Sequence, residues 1–173
     1  KKYKKKNKSS FIIIYCHSGL ELFKYPLIKD EKIYKKFIDN GADIIIGSHP
    51  HRTQGFEKYK NKFIFYSIGD LFIENTSKRD WHRYITRPAH ASIYKKKLSN
   101  KILFESYMIK INTTSKSVDV YRISRDKHCN YKMKRINKKT LEKNCFDYKK
   151  KIKNDFTKKY RNFIEDKVFK NAR

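Results

Sequence analysis

A chain of 173 residues is long enough for one domain with a core of its own, and 44 Lys plus Arg against 17 Asp plus Glu give it a net charge of +27. No run reaches the roughly 18–20 apolar residues of a membrane-spanning helix, and the apolar stretch after the basic opening (residues 1–10) is too short for a signal-peptide core. Cys16, Cys129 and Cys145 are odd in number and lack C-x-x-C spacing, so they fit neither a disulfide framework nor a zinc ribbon.

Two readings of the charge stand side by side. A polyanion partner, whether nucleic acid, acidic polymer or anionic membrane surface, would select a basic face. The chain is also rich in Lys, Ile, Asn, Tyr and Phe, with only 5 Gly and 3 Pro. Those abundant residues have A- and T-rich codons, so nucleotide bias alone would cover solvated faces with Lys.

In chain order, Phe11 to Cys16 is a continuous apolar, β-branched run and predicts a strand buried on both faces. A polar turn, His17 to Glu21, follows, then a loop through Pro26. Asp30 is placed to N-cap a helix over 31–40, with Ile33, Tyr34, Phe37 and Ile38 on one face and Gly41 as its left-handed stop. Ile44 to Ile46 predicts a second buried strand, parallel to the first because a helix joins them. Phe63 to Ile68 predicts a third, preceded by a turn at Asn61-Lys62 after the Phe56 to Tyr59 segment.

An irregular stretch from Glu74 to His90 precedes two strands near 104–111 and 118–123, joined by a hairpin turn. Beyond Asp126, Ile152, Phe156, Tyr160, Phe163, Ile164 and Val168 recur at helical spacing and predict one amphipathic tail helix. The organisation is therefore a basic stretch over 1–10, an α/β domain over 11–125 and a Lys-rich tail over 126–173.

Chemistry gathers at the strand ends. His17 follows the first strand; His49 and His51 follow the second. Loops at the C-terminal ends of parallel strands line a shared crevice, so the three imidazoles should converge. Imidazole is the commonest transition-metal ligand, and Zn, Mn and Fe are the ions it suits. Taken singly, a histidine after a strand is usually just a polar loop residue; it is three of them at parallel strand ends that point to a metal.

Glu21 can reach the same crevice as an orienting group or proton carrier, or remain a solvated loop carboxylate. Asp70, after Gly69, either contacts the site or caps its own turn. Arg52 and Arg87 are candidate contacts for an anionic substrate, with Arg83, His82 and His90 near Arg87 in sequence. His128 reads as surface. No aromatic–basic pattern matches an RNA-binding signature, so nucleic acid is the weaker partner class.

Three ordered segments carry a resemblance. They are His17-Ser18-Gly19-Leu20-Glu21, the run from Asn40 through Gly41-Ala42-Asp43 to Gly47-Ser48-His49-Pro50-His51, and Tyr66-Ser67-Ile68-Gly69-Asp70-Leu71-Phe72. Together they resemble the CapA family of capsule and poly-γ-glutamate synthesis proteins, whose fold is that of calcineurin-like metallophosphoesterases. The resemblance implies the C-terminal half of that α/β sandwich, with a helical C-terminal tail added.

It also implies a metal-dependent phosphoesterase-type protein. His17 and His49 would serve one divalent ion (Mn, Zn or Fe) and His51 a second, with Glu21 and Asp70 in the catalytic roles. The +27 charge would suit an acidic polymer such as polyglutamate, while the resemblance implies a phosphate-containing substrate and a membrane-associated or extracytoplasmic location. The family's upstream Gly-Asp, Asn-Leu-Glu and Asn-Asn-His regions do not precede Phe11, which predicts a fragment holding about half of a two-metal site. Ser18 and Asp70 stand where the family commonly has an aromatic residue and Asn. The rival readings are a non-catalytic anion- or polymer-binding module on the same fold and a basic nucleic-acid-binding protein.

Overall fold

Apolar runs joined by a helix pair in parallel because the helix must pack back on the sheet it leaves. That is the first half of the molecule in the computed structural model, which describes residues 4, 6, 7, 9–21, 23–71, 105–125 and 130–170. Strand β1 (Ile13–His17), helix α1 (Ile28–Asp39) and strand β2 (Ile44–Ser48) form the βαβ unit, in register from Ile13 opposite Ile44 to His17 opposite Ser48. Strand β4 (Lys62–Ile68) adds in parallel beside β2, and β3 (Thr53–Tyr59) pairs antiparallel with β4 at the far edge. The sheet order is β1-β2-β4-β3.

A second sheet, β5-β6-β7, is antiparallel throughout: β5 (Glu105–Asn112), β6 (Ser117–Arg125) and β7 (Tyr131–Ile136). Helices α2 (Lys138–Lys153) and α3 (Asp155–Lys170) end the described chain. The architecture is α/β with a helical C-terminal tail.

Two cores divide the first sheet by face. On one face Tyr34 and Ile38 of α1 pack with Ile45, Ile64 and Tyr66 and with Tyr148 and Ile152 of α2. On the other, Ile44, Phe56 and Phe65 pack with Val120 of the second sheet and with Leu141 and Cys145 of α2. Helix α2 thus contributes one end to each core and wraps the β3 edge, covering backbone that would otherwise be an open pairing site.

Several expectations change on contact with the structure. The β1 run is not buried on both faces: Ile12, Ile14 and Cys16 pack against the α1 side, whereas Ile13 is 44% and Tyr15 63% exposed. β1 is an edge strand among the described residues, and an apolar run reports a preference for burial without naming its cover.

Segment 53–59, to which the sequence reading assigns no element, is a strand. Its polar Gln54 and Glu57 are buried and its register shifts around Gly55, so no alternation marks it. The turn proper is Lys60-Asn61, both at positive φ (48° and 61°), as a tight hairpin of this hand requires. Helix α1 starts three residues early. Its N-cap is Leu27, without a side-chain cap, and Asp30 lies buried in the first turn, where the helix dipole favours an acid. β7 and the first turns of α2 stand where no element is expected, although Leu141, Cys145, Tyr148 and Ile152 of α2 are buried at helical spacing, and the tail is two helices broken at Asn154, with Phe163 exposed.

Asp43 ties the start of β1 to the sheet. Its carboxylate accepts from the Ile12 amide at 2.9 Å and from the ammonium groups of Lys4 (2.7 Å) and Lys62 (2.9 Å). Burial pushes its pKa up, but the amide and the two lysines outweigh it and hold the group at about 2. The folded pKa is below the unfolded value of about 3.9. The stabilisation is therefore complete above about pH 4 and disappears as pH falls toward 2. A melting series from pH 5 to pH 2 should show a smaller loss of Tm in Asp43→Asn than in the parent chain; equal losses would remove Asp43 from the acid transition.

Candidate metal centre

The site lies at the C-terminal ends of β1, β2 and β4. β1 ends on His17 and β2 on Ser48, opposite each other in register, so the loop residues beyond them start side by side. His17 Nδ1 lies 3.2 Å from Ser48 Oγ, and His17 Nε2 lies 3.1 Å from His49 Nδ1. The two rings are tilted with centroids 4.7 Å apart, and the His49 and His51 centroids are 6.0 Å apart. The expected convergence of the three histidines is present.

Backbone shape makes this possible. His49 and His51 flank Pro50 and both adopt positive φ, 97° and 53°. Such conformations in non-glycine residues cost roughly 1–3 kcal/mol each and persist where the surroundings enforce them. Pro50 is fully buried, and Gly19 leaves the room for it: a Cβ there would lie 3.0 Å from Pro50 Cγ. At Gly47 a Cβ would stand 2.1 Å from the Tyr66 carbonyl oxygen, so only glycine lets β2 lie this close to β4 before the loop departs. The glycines of the first two motifs thus shape the cradle in which the histidines sit.

Asp70 does not reach into open space. Its Oδ2 lies 2.9 Å from His51 Nδ1, and this hydrogen bond raises the His51 pKa against the opposing effect of burial. An imidazole held at Nδ1 by a carboxylate presents Nε2 outward with raised basicity, the arrangement typical of metal-binding histidines. His49 moves the other way. Burial, then the neighbouring His17 and His51, lower its pKa despite Glu21, which keeps it neutral and able to donate a lone pair.

Glu21 joins the cluster. One ligand atom each from Glu21, His49 and His51 lie within 4.8 Å of one another. Ligand atoms around a four-coordinate zinc at about 2.0–2.2 Å stand about 3.3–3.6 Å apart. The trio therefore fits a metal ion after side-chain movements of about 1 Å, with a mixed nitrogen and oxygen donor set suited to Zn or Mn. The sequence reading puts Glu21 behind the histidines as an orienting group or proton carrier, and in the structure its carboxylate stands within reach of the same point as His49 and His51. His17, placed among the ligands by sequence, has both ring nitrogens engaged with Ser48 and His49. No second group of three such donors occurs among the described residues.

Arg52 follows His51 directly and is half-buried. Arg87, with Arg83, His82, His90 and His128, lies outside the described residues. Sequence reasoning missed Ser48 and Tyr34 as supports. Ser48 holds His17, and the Tyr34 hydroxyl lies 3.0 Å from Ser18 Oγ. Ser48 adjoins a ligand in Gly-Ser-His-Pro-His, the one signal that could have marked it.

Comparison with known proteins bears on the same segment. Residues 1–76 match the family described as bacterial capsule synthesis protein PGA_cap. The capsule biosynthesis protein CapA of Bacillus anthracis is 39% identical over 70 residues, 40% of this chain and 17% of that protein. The PGA biosynthesis protein CapA of Bacillus subtilis is 32% identical over 77 residues, 43% of this chain and 20% of its own length. An uncharacterized protein of Sinorhizobium fredii is 36% identical over 72 residues, 40% of this chain and 16% of its length. The match thus spans about a fifth or less of each relative; it contains His17, Glu21, His49, His51 and Asp70, and β5 to α3 lie beyond it. Over residues 1–76, less than half of its length, the chain is thus similar to the bacterial capsule synthesis family that includes CapA.

Proposed function

We propose that this chain carries the histidine-rich part of a metal-dependent phosphoesterase-type centre that acts in capsule or poly-γ-glutamate synthesis. The observation that carries the reading is the convergence of Glu21, His49 and His51 at the ends of parallel strands. His49 and His51 hold the ion through nitrogen and Glu21 through oxygen. Asp70 orients His51, and His17 positions His49. A bound divalent ion would polarise a phosphoryl oxygen and acidify a water there. Arg52 and Arg87 would meet the substrate's negative charge.

The relatives named for capsule and PGA biosynthesis support an acidic polymer or a phosphate-containing compound as substrate, and a place at the cell envelope. Among the described residues no helix is long and apolar enough to cross a membrane. The chain is a fragment in this reading, and the donors for a second ion come from parts of the family domain outside it. A non-catalytic anion- or polymer-binding module is the second reading, favoured by a group of three donors among the described residues.

The deciding experiment titrates chelator-treated protein with Mn²⁺ and Zn²⁺ and then assays hydrolysis of bis(p-nitrophenyl) phosphate. Stoichiometric binding lost on substitution of His51, with metal-dependent hydrolysis, supports the enzyme. Binding without hydrolysis favours the module, and no binding of either ion removes the metal centre.

A further inference from the structure

The loop that carries Glu21 is held from two sides. On its near side the Ser18 amide donates to the Ser48 carbonyl at 3.2 Å, and Ser18 Oγ lies 3.0 Å from the Tyr34 hydroxyl, so the chain leaves β1 tied to β2 and α1. Glu21 then sits in a turn closed by the Phe23 amide, which donates to the Leu20 carbonyl at 3.2 Å. Two residues beyond Glu21 the chain goes under cover: Phe23 is 2% exposed, and Pro26 and Leu27 are fully buried. Buried carbonyls need donors from the protein, because water does not reach them.

Those donors come from distant elements. Gln54 of β3 donates from Nε2 to the carbonyls of Phe23 and Tyr25, both at 3.0 Å, and Arg161 of α3 donates from Nε to the Pro26 carbonyl at 2.9 Å. The Tyr160 ring of α3 stacks on the Phe23 ring, with centroids 5.5 Å and planes 29° apart. Thr157, Tyr160, Arg161 and Ile164 recur at helical spacing; Tyr160 is half-buried and the other three are buried, so the stripe that meets the loop is the inward face of α3. This helix lies beyond residues 1–76, the segment similar to the capsule synthesis family.

We infer that α3 positions Glu21: Tyr160 and Arg161, acting through Phe23 and Pro26, hold the turn that keeps the Glu21 carboxylate within reach of His49 and His51. The importance of that hold rests on the proposed metal centre, whereas the clamp itself belongs to the protein without an ion. A donor carried on a loop weakens binding when it must be ordered as the ion arrives, so a loop fixed beforehand binds more tightly. The tail helix, remote in sequence, thereby becomes part of the site's support.

The test uses the full chain with Tyr160→Ala, and Tyr160→Phe as the conservative variant. Tyr160 belongs to neither buried core, so its truncation should leave the fold intact. With chelator present, hydrogen exchange at the amides of Glu21 and Phe23 should quicken by about threefold to tenfold in Tyr160→Ala, while β2 and β4 exchange as in the parent. Zn²⁺ affinity should fall by about threefold to tenfold in the same variant and stay at the parent value in Tyr160→Phe, which keeps the stack. In a Glu21→Ala background Tyr160→Ala should bring no further loss, since its route to the ion runs through that carboxylate. A merely structural role would lower the affinity equally in both backgrounds. Unchanged exchange at Glu21 and Phe23, or an equal further loss without Glu21, overturns the inference. If the parent binds no Zn²⁺ while exchange quickens as expected, the metal centre falls and the clamp on Glu21 stands.

Discussion

Replacing His49 with alanine should weaken Zn²⁺ binding by the chain about a hundredfold or more, measured by competition with a chromogenic chelator. The number follows from what the residue does. Altering a group that merely supports a ligand costs about 10–100-fold in metal affinity, and His49 is itself one of the three proposed donors. It is also the histidine whose surroundings keep it neutral, so it meets less competition from protons than His51 does. Ser48→Ala is the matching control. It removes the hydroxyl 3.2 Å from His17 and leaves all three proposed donors in place, so the loss should stay within about tenfold. Equal affinity in His49→Ala and the parent would mean that any ion bound sits elsewhere.

Arg161→Ala should cost about 3–5 kcal/mol of folding stability, read from urea unfolding followed by circular dichroism. Arg161 is 4% exposed and bonds both the Glu31 carboxylate and the Pro26 carbonyl. Truncating one partner of a buried pair costs this much because the groups left behind lose their compensation without regaining water. Lys35 still faces Glu31, which places the expected loss toward the lower end of the range. The loss should also appear as unfolding of α3, since this arginine bonds the helix to Glu31 of α1 and to Pro26 just before it. Arg161→Lys should recover only part of the stability, because an ammonium cannot reproduce the planar, two-directional donation of a guanidinium. A loss under about 1 kcal/mol in Arg161→Ala would show that α3 does not depend on this contact.

What the sequence made legible follows from which signals are local. The βαβ unit was readable because isoleucine runs, a helical period and Gly41 are local facts, and parallel pairing follows from a helical connection. The histidine convergence was readable for the same reason: strand ends fix where the loops begin. The partners within the cluster were not. Nothing local says that Asp70 faces His51 Nδ1 or that Glu21 approaches His49, since those contacts depend on how the β4 and β1 loops fold toward each other.

β3 was hidden for a different reason. Its buried residues include Gln54 and Glu57, which satisfy themselves through Phe23, Tyr25, Tyr66 and Lys35, and apolar periodicity is blind to burial of that kind. The tail looked like a single helix because spacing survives a one-residue break, and the break at Asn154 is what turns α3 back toward α1 and brings Arg161 to Glu31.

The bare outer face of β1 has a consequence for the chain as a colloid. Ile13 and Tyr15 form a sticky strip on a strand whose second edge is open among the described residues, the kind of surface through which identical chains adhere. A net charge of +27 opposes that adhesion by holding molecules apart. Added salt shortens the reach of the repulsion, to about 8 Å at physiological ionic strength, while leaving the apolar strip as attractive as before. The lysines therefore also keep copies of the chain dispersed, and a polyanion that neutralised them would draw the chains together along its length.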